Sequence, residues 1–145
     1  MLKAYKYKIL PNDEQIVLLN KHFGSARFIY NLALETKALA WSGNKVNLSY
    51  FDLSKQIPDL KNEYDWLKEI NSQSLQYCLK NLETAYKNFF RFKKGFPRFK
   101  SKKDNHHSFC VPQNVSVIGD LLFIRKFKDG IKFIKHREFN GKIKQ

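Results

Sequence analysis

Apolar and polar side chains alternate over the first ten residues, "MLKAYKYKIL", and a proline follows at position 11. Alternation with a period of two is typical of a half-buried β-strand, and proline ends such a run. Asn12, with Gln15 three residues later, is typical of a capping box at the start of a helix. We therefore predict a strand that ends at Leu10 and a helix from Asn12 to about Phe23.

The next segments read as further helices separated by breaks. Gly24 is a natural helix end, and Ser25 is suited to cap a second helix through "ARFIYNLALETKALAW". The letters "WSGNK" that follow predict a turn. Ser49 and Asp52 form another possible capping box, which predicts a short helix that ends near Pro58.

The most periodic part of the chain follows Asn71, which is suited to cap a helix. Apolar residues then recur at steps of three or four, as on one face of a helix. They are Leu75, Leu79, Leu82, Tyr86 and Phe89. This pattern predicts one long amphipathic helix.

After about residue 105 the pattern changes to short apolar runs around turn signals. Gly119-Asp120 and Asp129-Gly130 both predict tight hairpin turns. A single strand at the start of the chain needs partners, and the closing strands are available to supply them. We therefore predict an α+β fold: residues 1–10 and 105–145 form a small β-barrel, and residues 11–104 form a helical region inserted into it.

Charge divides the chain differently from hydrophobicity. The formal net charge is +14, yet residues 1–84 carry 11 basic and 9 acidic side chains, and residues 85–145 carry 16 and 4. Such asymmetry favours a polyanionic partner, most commonly nucleic acid. The alternative is a basic protein with an ordinary solvated surface.

The basic charge is concentrated in residues 87–103, here called the basic-aromatic segment, which contain five phenylalanines and no acid. Its eight basic residues are candidates for phosphate contacts. They are Lys87, Arg91, Lys93, Lys94, Arg98, Lys100, Lys102 and Lys103. Phe96 is a candidate for stacking on a base. Alternatively, the phenylalanines anchor the segment to the core and only the charges face outward.

No constellation for catalysis or metal binding emerges from the residues. Two-metal chemistry needs converging carboxylates, whereas the basic half of the chain offers only four dispersed ones, two of them in predicted turns. They are Asp104, Asp120, Asp129 and Glu138. The adjacent His106 and His107 would point to opposite faces of a strand, which disfavours chelation of one ion. We expect no catalytic residues, no metal and no cofactor.

Two other features bound the function classes. Cys78 and Cys110 are too few for a disulfide framework, and the chain has no early apolar run of signal length, so we expect a cytoplasmic protein without a membrane partner. The Gly24-Ser25 junction suggests a helix-turn-helix, but the second helix is mostly apolar, which suits packing better than groove reading.

Several stretches together resemble a known family. They are "YKYKILPNDEQ", "FGSARFIYNLAL", "WLKEINSQSLQYCLKNLETAYKNFF", "GFPRFKSKK" and "GKIK". From end to end the chain resembles the N-terminal part of TnpB, the transposon-encoded relatives of type V CRISPR effectors. The resemblance implies an RNA-guided DNA endonuclease whose wedge barrel carries an inserted recognition domain. The RuvC-type nuclease and the zinc finger of that family have no counterpart in these 145 residues.

The resemblance also implies partners and a set of contacts. The wedge region would hold a guide RNA, and the helical part would read the short duplex motif beside the DNA target. Positions that match the motif-reading contacts are Tyr50, Ser54, Ser72, Gln73 and Gln76. A glutamine can contact adenine with two hydrogen bonds, although Gln76 also suits a solvated helix surface.

The function stays open between three possibilities. The chain is the binding module of such a machine, with a nuclease region on the same gene or another chain. It is otherwise a nuclease-less DNA-binding regulator of transcription or transposition, or a truncated fragment of an active nuclease.

Overall fold

A computed structural model describes residues 1–145 and combines helices with a small antiparallel sheet, which confirms the predicted mixture of the two. In chain order the elements are β1 (Ile9–Leu10), α1 (Asp13–Asn44), α2 (Tyr50–Ser54), α3 (Ile57–Glu63), a short 3-10 helix (Asp65–Glu69), α4 (Ser72–Phe92), β2 (Ser116–Ile118), β3 (Leu121–Phe123) and β4 (Ile131–Phe133).

The sheet joins the two ends of the chain. Its strand order is β1-β4-β3-β2, and every neighbouring pair is antiparallel. Ile9 lies opposite Phe133, so the predicted pairing of the N-terminal strand with the closing strands is confirmed. The Gly119-Asp120 hairpin is also confirmed: Ile118 pairs with Leu121 across it. Gly119 has a φ of 63°, a left-handed conformation that glycine adopts without strain.

The sheet is open, and a closed barrel is not confirmed. The strands β1 and β2 lie at opposite edges of the sheet and do not pair with each other. Closure requires enough tilted strands to bring the two edges together. Four strands of two or three residues are too few and too short for that.

The predicted hairpin turn at Asp129-Gly130 is wrong, because seven residues separate β3 from β4. Within this connection Phe127 turns inward and packs on Leu19 and Ile131 in a small apolar cluster. Gly130 serves close packing instead of a turn: a Cβ there would lie 2.9 Å from the Cβ of Leu121.

The predicted break at Gly24-Ser25 is also wrong, since α1 continues through it for 32 residues. One buried stripe at steps of three or four runs across the glycine, and a break would put its two halves out of register. The stripe comprises Gln15, Leu19, His22, Ala26, Ile29 and Ala33. The helix also includes most of the predicted "WSGNK" turn. It ends at Asn44, and Lys45 caps it in a left-handed conformation with a φ of 55°.

The capping predictions hold where the helices begin. Asn12 and Gln15 form the capping box of α1, and Ser49 with Asp52 forms that of α2. Pro58, however, lies in the first turn of α3 and does not close α2, because proline is tolerated there without loss of a hydrogen bond.

The main core lies between the second half of α1, the short helices and α4. On α4 the predicted stripe is confirmed: Leu75, Leu79 and Leu82 are buried, with Tyr86 partly buried beside them. The first half of α1 packs on the sheet through Leu19 instead. None of the helices combines the length and apolar character that crossing a membrane requires.

Candidate nucleic-acid interface

The N-terminal end of α4 presents three of the residues matched to motif-reading contacts. Asn71 caps the helix, and its side-chain oxygen accepts a hydrogen bond from the backbone N–H of Gln73 at 3.1 Å. Ser72 and Gln76 are one helical turn apart, so they share a face. Lys80 continues that face by another turn, and Gln76 and Lys80 are both exposed. The structure therefore brings Ser72, Gln73 and Gln76 together on one helix end.

Tyr50 and Ser54, the other two, lie at the two ends of α2. Tyr50 reaches the face of α4, because the Lys80 ammonium lies 5.7 Å from the centre of its ring. This contact joins Tyr50 to the helix one turn beyond Gln76. The Ser54 hydroxyl is buried and has no hydrogen-bond partner.

Two residues that the sequence did not single out lie at this helix end. Lys61, on α3, donates a hydrogen bond from its ammonium group to the hydroxyl of Ser72. Gln113, just before the sheet, accepts a hydrogen bond at 2.9 Å from the side-chain amide of Gln73. The two contacts join residues 11 and 40 positions apart in different elements, so no pattern within one helix or strand could have identified them.

The basic-aromatic segment leaves α4 at a left-handed cap and folds back toward α1. Lys93 has a φ of 51°, and its N–H donates to the carbonyl of Asn88. Beyond it Pro97 is buried. Asn31 of α1 then holds the backbone of Lys100 on both sides: its side chain accepts from the Lys100 N–H at 2.7 Å and donates to the Lys100 carbonyl at 2.8 Å.

These attachments fix the backbone and leave the charges outside. All eight basic side chains of the segment are exposed, and none belongs to any of the three salt bridges of the molecule. The Lys100 ammonium also lies 4.7 Å from the centre of the Tyr30 ring. The segment is thus a fixed strip of positive charge with no neutralising acid within it.

The phenylalanines of the strip contact the protein to different extents. Phe96 packs edge-to-face on Tyr86 at 5.5 Å and on Phe89 at 5.2 Å, yet its side chain stays 51% exposed. Phe92 and Phe99 are more exposed still. Phe96 therefore has one side packed on α4 and one side open, which is compatible with both an anchor and a stacking platform.

A cleft of about 320 Å³ connects the two surfaces. Tyr50 lines it at the α2 end, and Lys87 and Arg91 line it where the basic-aromatic segment begins. Lys37 of α1 lies between them, with its ammonium 4.8 Å from the centre of the Tyr86 ring. Burial lowers the pKa of Lys37, which Glu83 and Asp52 partly counteract.

The carboxylates of the basic half do not converge. Asp104 accepts a hydrogen bond from the Ser101 N–H in a turn, Asp120 lies in the β2–β3 hairpin, and Glu138 pairs with Lys135 at 3.0 Å. No group of three histidine, cysteine or acidic side chains is placed to hold a metal ion.

The histidines and cysteines considered above lie between α1 and α4. His107 contacts Arg27, with 2.9 Å between ring Nδ1 and guanidinium Nη1. Cys78 and Cys110 are free thiols. Burial raises the pKa of Cys78 to about 11, which makes it a poor nucleophile.

Comparison with protein families matches residues 1–45 to a helix-turn-helix domain, of the type named for OrfB of IS605. In this chain those residues form β1 and α1, and α1 is a single uninterrupted helix.

Comparison with curated proteins finds two relatives much longer than this chain and one of similar length. A protein of Streptomyces pristinaespiralis named as an RNA-guided DNA endonuclease is 39% identical over 73% of this chain and 27% of its own length. Its counterpart InsQ from Escherichia coli is 36% identical over 80% of this chain and 29% of its own length. The chain thus spans less than a third of these two. Virulence protein VsdF of Salmonella dublin is 36% identical over 70% of this chain and 95% of its own length.

Proposed function

Because this chain belongs to the TnpB family, we propose that it is a nucleic-acid-binding module that holds guide RNA and contacts target-adjacent DNA. The basic-aromatic segment binds the RNA backbone. Tyr50, Ser54, Ser72, Gln73 and Gln76 contact the DNA duplex. Residues 11–104 act as the recognition part, and residues 1–10 with 105–145 act as part of a wedge. Within the recognition part, α1 packs both on α4 and, through Leu19, against the wedge.

The observation that carries this proposal is the fixed, exposed strip of eight cations. A loop whose charges served only solubility would not need its backbone held by Asn31 and a buried proline. Counterion release makes such a strip a strong and salt-sensitive ligand for phosphates. Exposed phenylalanines between the cations add surfaces on which unpaired bases can stack, and unpaired bases are commoner in RNA than in duplex DNA.

The test replaces six cations of the strip by glutamine: Lys93, Lys94, Arg98, Lys100, Lys102 and Lys103. The matched control replaces six exposed lysines elsewhere: Lys3, Lys6, Lys45, Lys55, Lys142 and Lys144. Binding to structured RNA and to duplex DNA is measured by fluorescence anisotropy over a range of salt. We expect the first variant to lose more affinity for RNA of every sequence than the control does. Its log–log salt slope should be flatter by roughly 0.7 to 0.9 for each phosphate that the strip no longer neutralises.

Equal RNA affinity in the two variants, with both folds intact by circular dichroism, would refute the role of the strip. Sequencing the nucleic acid that copurifies with the unmodified chain supplies the identity of its partners. If no RNA copurifies and the chain binds only duplex DNA, the part of the proposal that concerns guide RNA is wrong.

A second function is favoured by one observation. VsdF is matched over 95% of its length, so a short relative exists beside the two longer ones. This favours a stand-alone DNA-binding regulator without a nuclease. Reading the DNA downstream of the last codon separates the two functions. An in-frame or frameshifted nuclease region supports a module of an enzyme, and a clean gene end supports the regulator.

A further inference from the structure

Two lysines from different parts of the fold lie at the N-terminal end of α4 without an acidic partner. Lys61 reaches it from α3 and donates to the Ser72 hydroxyl. Lys126, in the β3–β4 connection, donates at 3.0 Å to the carbonyl of Lys68 in the 3-10 helix just before α4, and its charge acts on Lys61. Neither lysine belongs to a salt bridge, and the first turn of α4 carries no acidic residue.

The electrostatics of this arrangement are unfavourable as they stand. Burial lowers the pKa of Lys61, and the nearby charge of Lys126 lowers it further, with no acid opposing the shift. The helix N-terminus adds the positive end of the α4 dipole. Three sources of positive potential therefore meet at one point, where an anion would be strongly favoured.

A buried, unpaired donor lies at the same point. Asn71 is 2% exposed, and its side-chain nitrogen Nδ2 has no hydrogen-bond partner. The oxygen of the same amide caps Gln73, which places the unused nitrogen beside the first turn of α4. A buried donor without a partner costs free energy, so a ligand that accepts from it would recover that cost. The Ser72 hydroxyl, which accepts from Lys61, also keeps its own proton to donate.

We propose that Lys61, Lys126, Ser72 and Asn71 form a phosphate site that binds one backbone phosphate of the DNA duplex. This inference rests on the proposed function, in which Gln73 and Gln76 contact the same duplex. A phosphate held here takes over the Lys61 contact now made by Ser72. The site positions the duplex and carries no sequence information, whereas the glutamines beside it read base edges.

The test compares Lys61→Gln/Lys126→Gln with a control of equal charge change, Lys45→Gln/Lys55→Gln. All are full-length chains, and binding to duplex DNA is measured by anisotropy over a range of salt. We expect the first variant to bind roughly tenfold more weakly. Its log–log salt slope should be flatter by about 0.9 for one phosphate that is no longer neutralised. The weakening should be equal on all duplex sequences, whereas Gln76→Ala should change the preference among them.

Thermal unfolding tests whether the role of Lys61 is purely structural. The lowered pKa of Lys61 means that its charge opposes folding near neutral pH, so Lys61→Gln should leave Tm unchanged or raise it. A lower Tm accompanied by an unchanged salt slope would show that Lys61 only supports α3 and would overturn the proposal.

Inorganic phosphate separates this inference from the proposed function. It is titrated into the ¹⁵N-labelled chain while the Asn71 side-chain and Ser72 backbone signals are followed by NMR. We expect saturable shifts that disappear in Lys61→Gln/Lys126→Gln. Shifts without any duplex binding would support the anion site and refute the proposed function. Duplex binding with the same salt slope in the variant and the control would leave the proposed function standing and refute the site.

Discussion

The buried histidine at the junction of α1 and α4 should make the fold sensitive to acid. His22 is 1% exposed and lies between the rings of Phe109 and Phe127. Its Nδ1 donates to the carbonyl of Leu18 at 2.8 Å, and its Nε2 accepts from the backbone N–H of Asn71 at 3.3 Å. Only the neutral ring with its proton on Nδ1 can make both bonds.

The direction of the pH effect follows from the pKa. Burial lowers the pKa of His22 below its ordinary value of 6.5, the nearby charge of Lys126 lowers it further, and the Leu18 hydrogen bond opposes both. Below pH 6.5 the unfolded chain therefore binds more protons than the native one. The stabilisation is fully present above pH 6.5 and is lost as pH falls toward the native pKa, by up to about 1.4 kcal/mol per pH unit.

The size of the loss between pH 7.0 and 5.5 can be worked out for a ring that stays neutral in the native state. The loss is therefore at most about 1.3 kcal/mol of the free energy of unfolding, a limit set by the ordinary pKa of histidine in the unfolded chain. Protonation of Nε2 removes the acceptor for the Asn71 N–H, so it weakens the residue that caps α4. The helix end that presents Ser72 and Gln73 should loosen first.

The measurement is urea unfolding at pH 7.0 and 5.5, compared with the variant His22→Gln. Glutamine can donate to Leu18 and accept from Asn71 but does not titrate, and the other three histidines are common to both proteins. We expect the unmodified chain to lose more of its free energy of unfolding than the variant, by up to about 1.3 kcal/mol. Equal losses in the two proteins, or an NMR titration of His22 centred at or above pH 6.5, would refute the reasoning.

Three further outcomes are expected. Phe96→Ala should lower the free energy of unfolding by about 1–2 kcal/mol, because half of the ring is packed on α4. If stability is instead nearly unchanged and the affinity for RNA falls by about 1–3 kcal/mol, the ring stacks on a base. Gly130→Ala should cost about 1–3 kcal/mol by overpacking, whereas Gly95→Ala, with no atom within 4 Å of the new Cβ, should cost almost nothing; equal urea midpoints would contradict this. The chain should not cut DNA with magnesium or manganese, and cutting that Asp104→Asn or Asp120→Asn abolishes would overturn this expectation.

The parts of the fold that the sequence predicted well are those whose signals are local. A capping box joins side chains three residues apart, so Asn12, Gln15, Ser49 and Asp52 identify two helix starts without knowledge of the rest. The stripe on α4 is likewise contained in one helix. Pairing between the ends of the chain was predictable because a lone strand is unstable.

The failures occurred where tertiary packing overrode a local signal. Gly24 resembles a helix end, yet the buried stripe of α1 continues across it. Asp129-Gly130 resembles a turn, but Phe127 is buried under α1, and a two-residue hairpin would leave no room for it. In the candidate interface the same limit applies: composition identified the basic-aromatic segment, whereas Lys61 and Lys126 are far apart in sequence and approach each other only in the folded chain.

The helix α4 offers positive potential at both of its ends, for different reasons. Its N-terminus carries the positive end of the dipole, to which Lys61 and Lys126 add. Its C-terminus carries the negative end, and there Arg91 in the last turn stabilises the helix while its charge remains exposed. With 21 residues the helix is about 31 Å long, close to one turn of B-form DNA. Under the proposed function, the RNA would lie at the C-terminal end of α4 and the duplex at its N-terminal end, so the two would not compete for the same side chains.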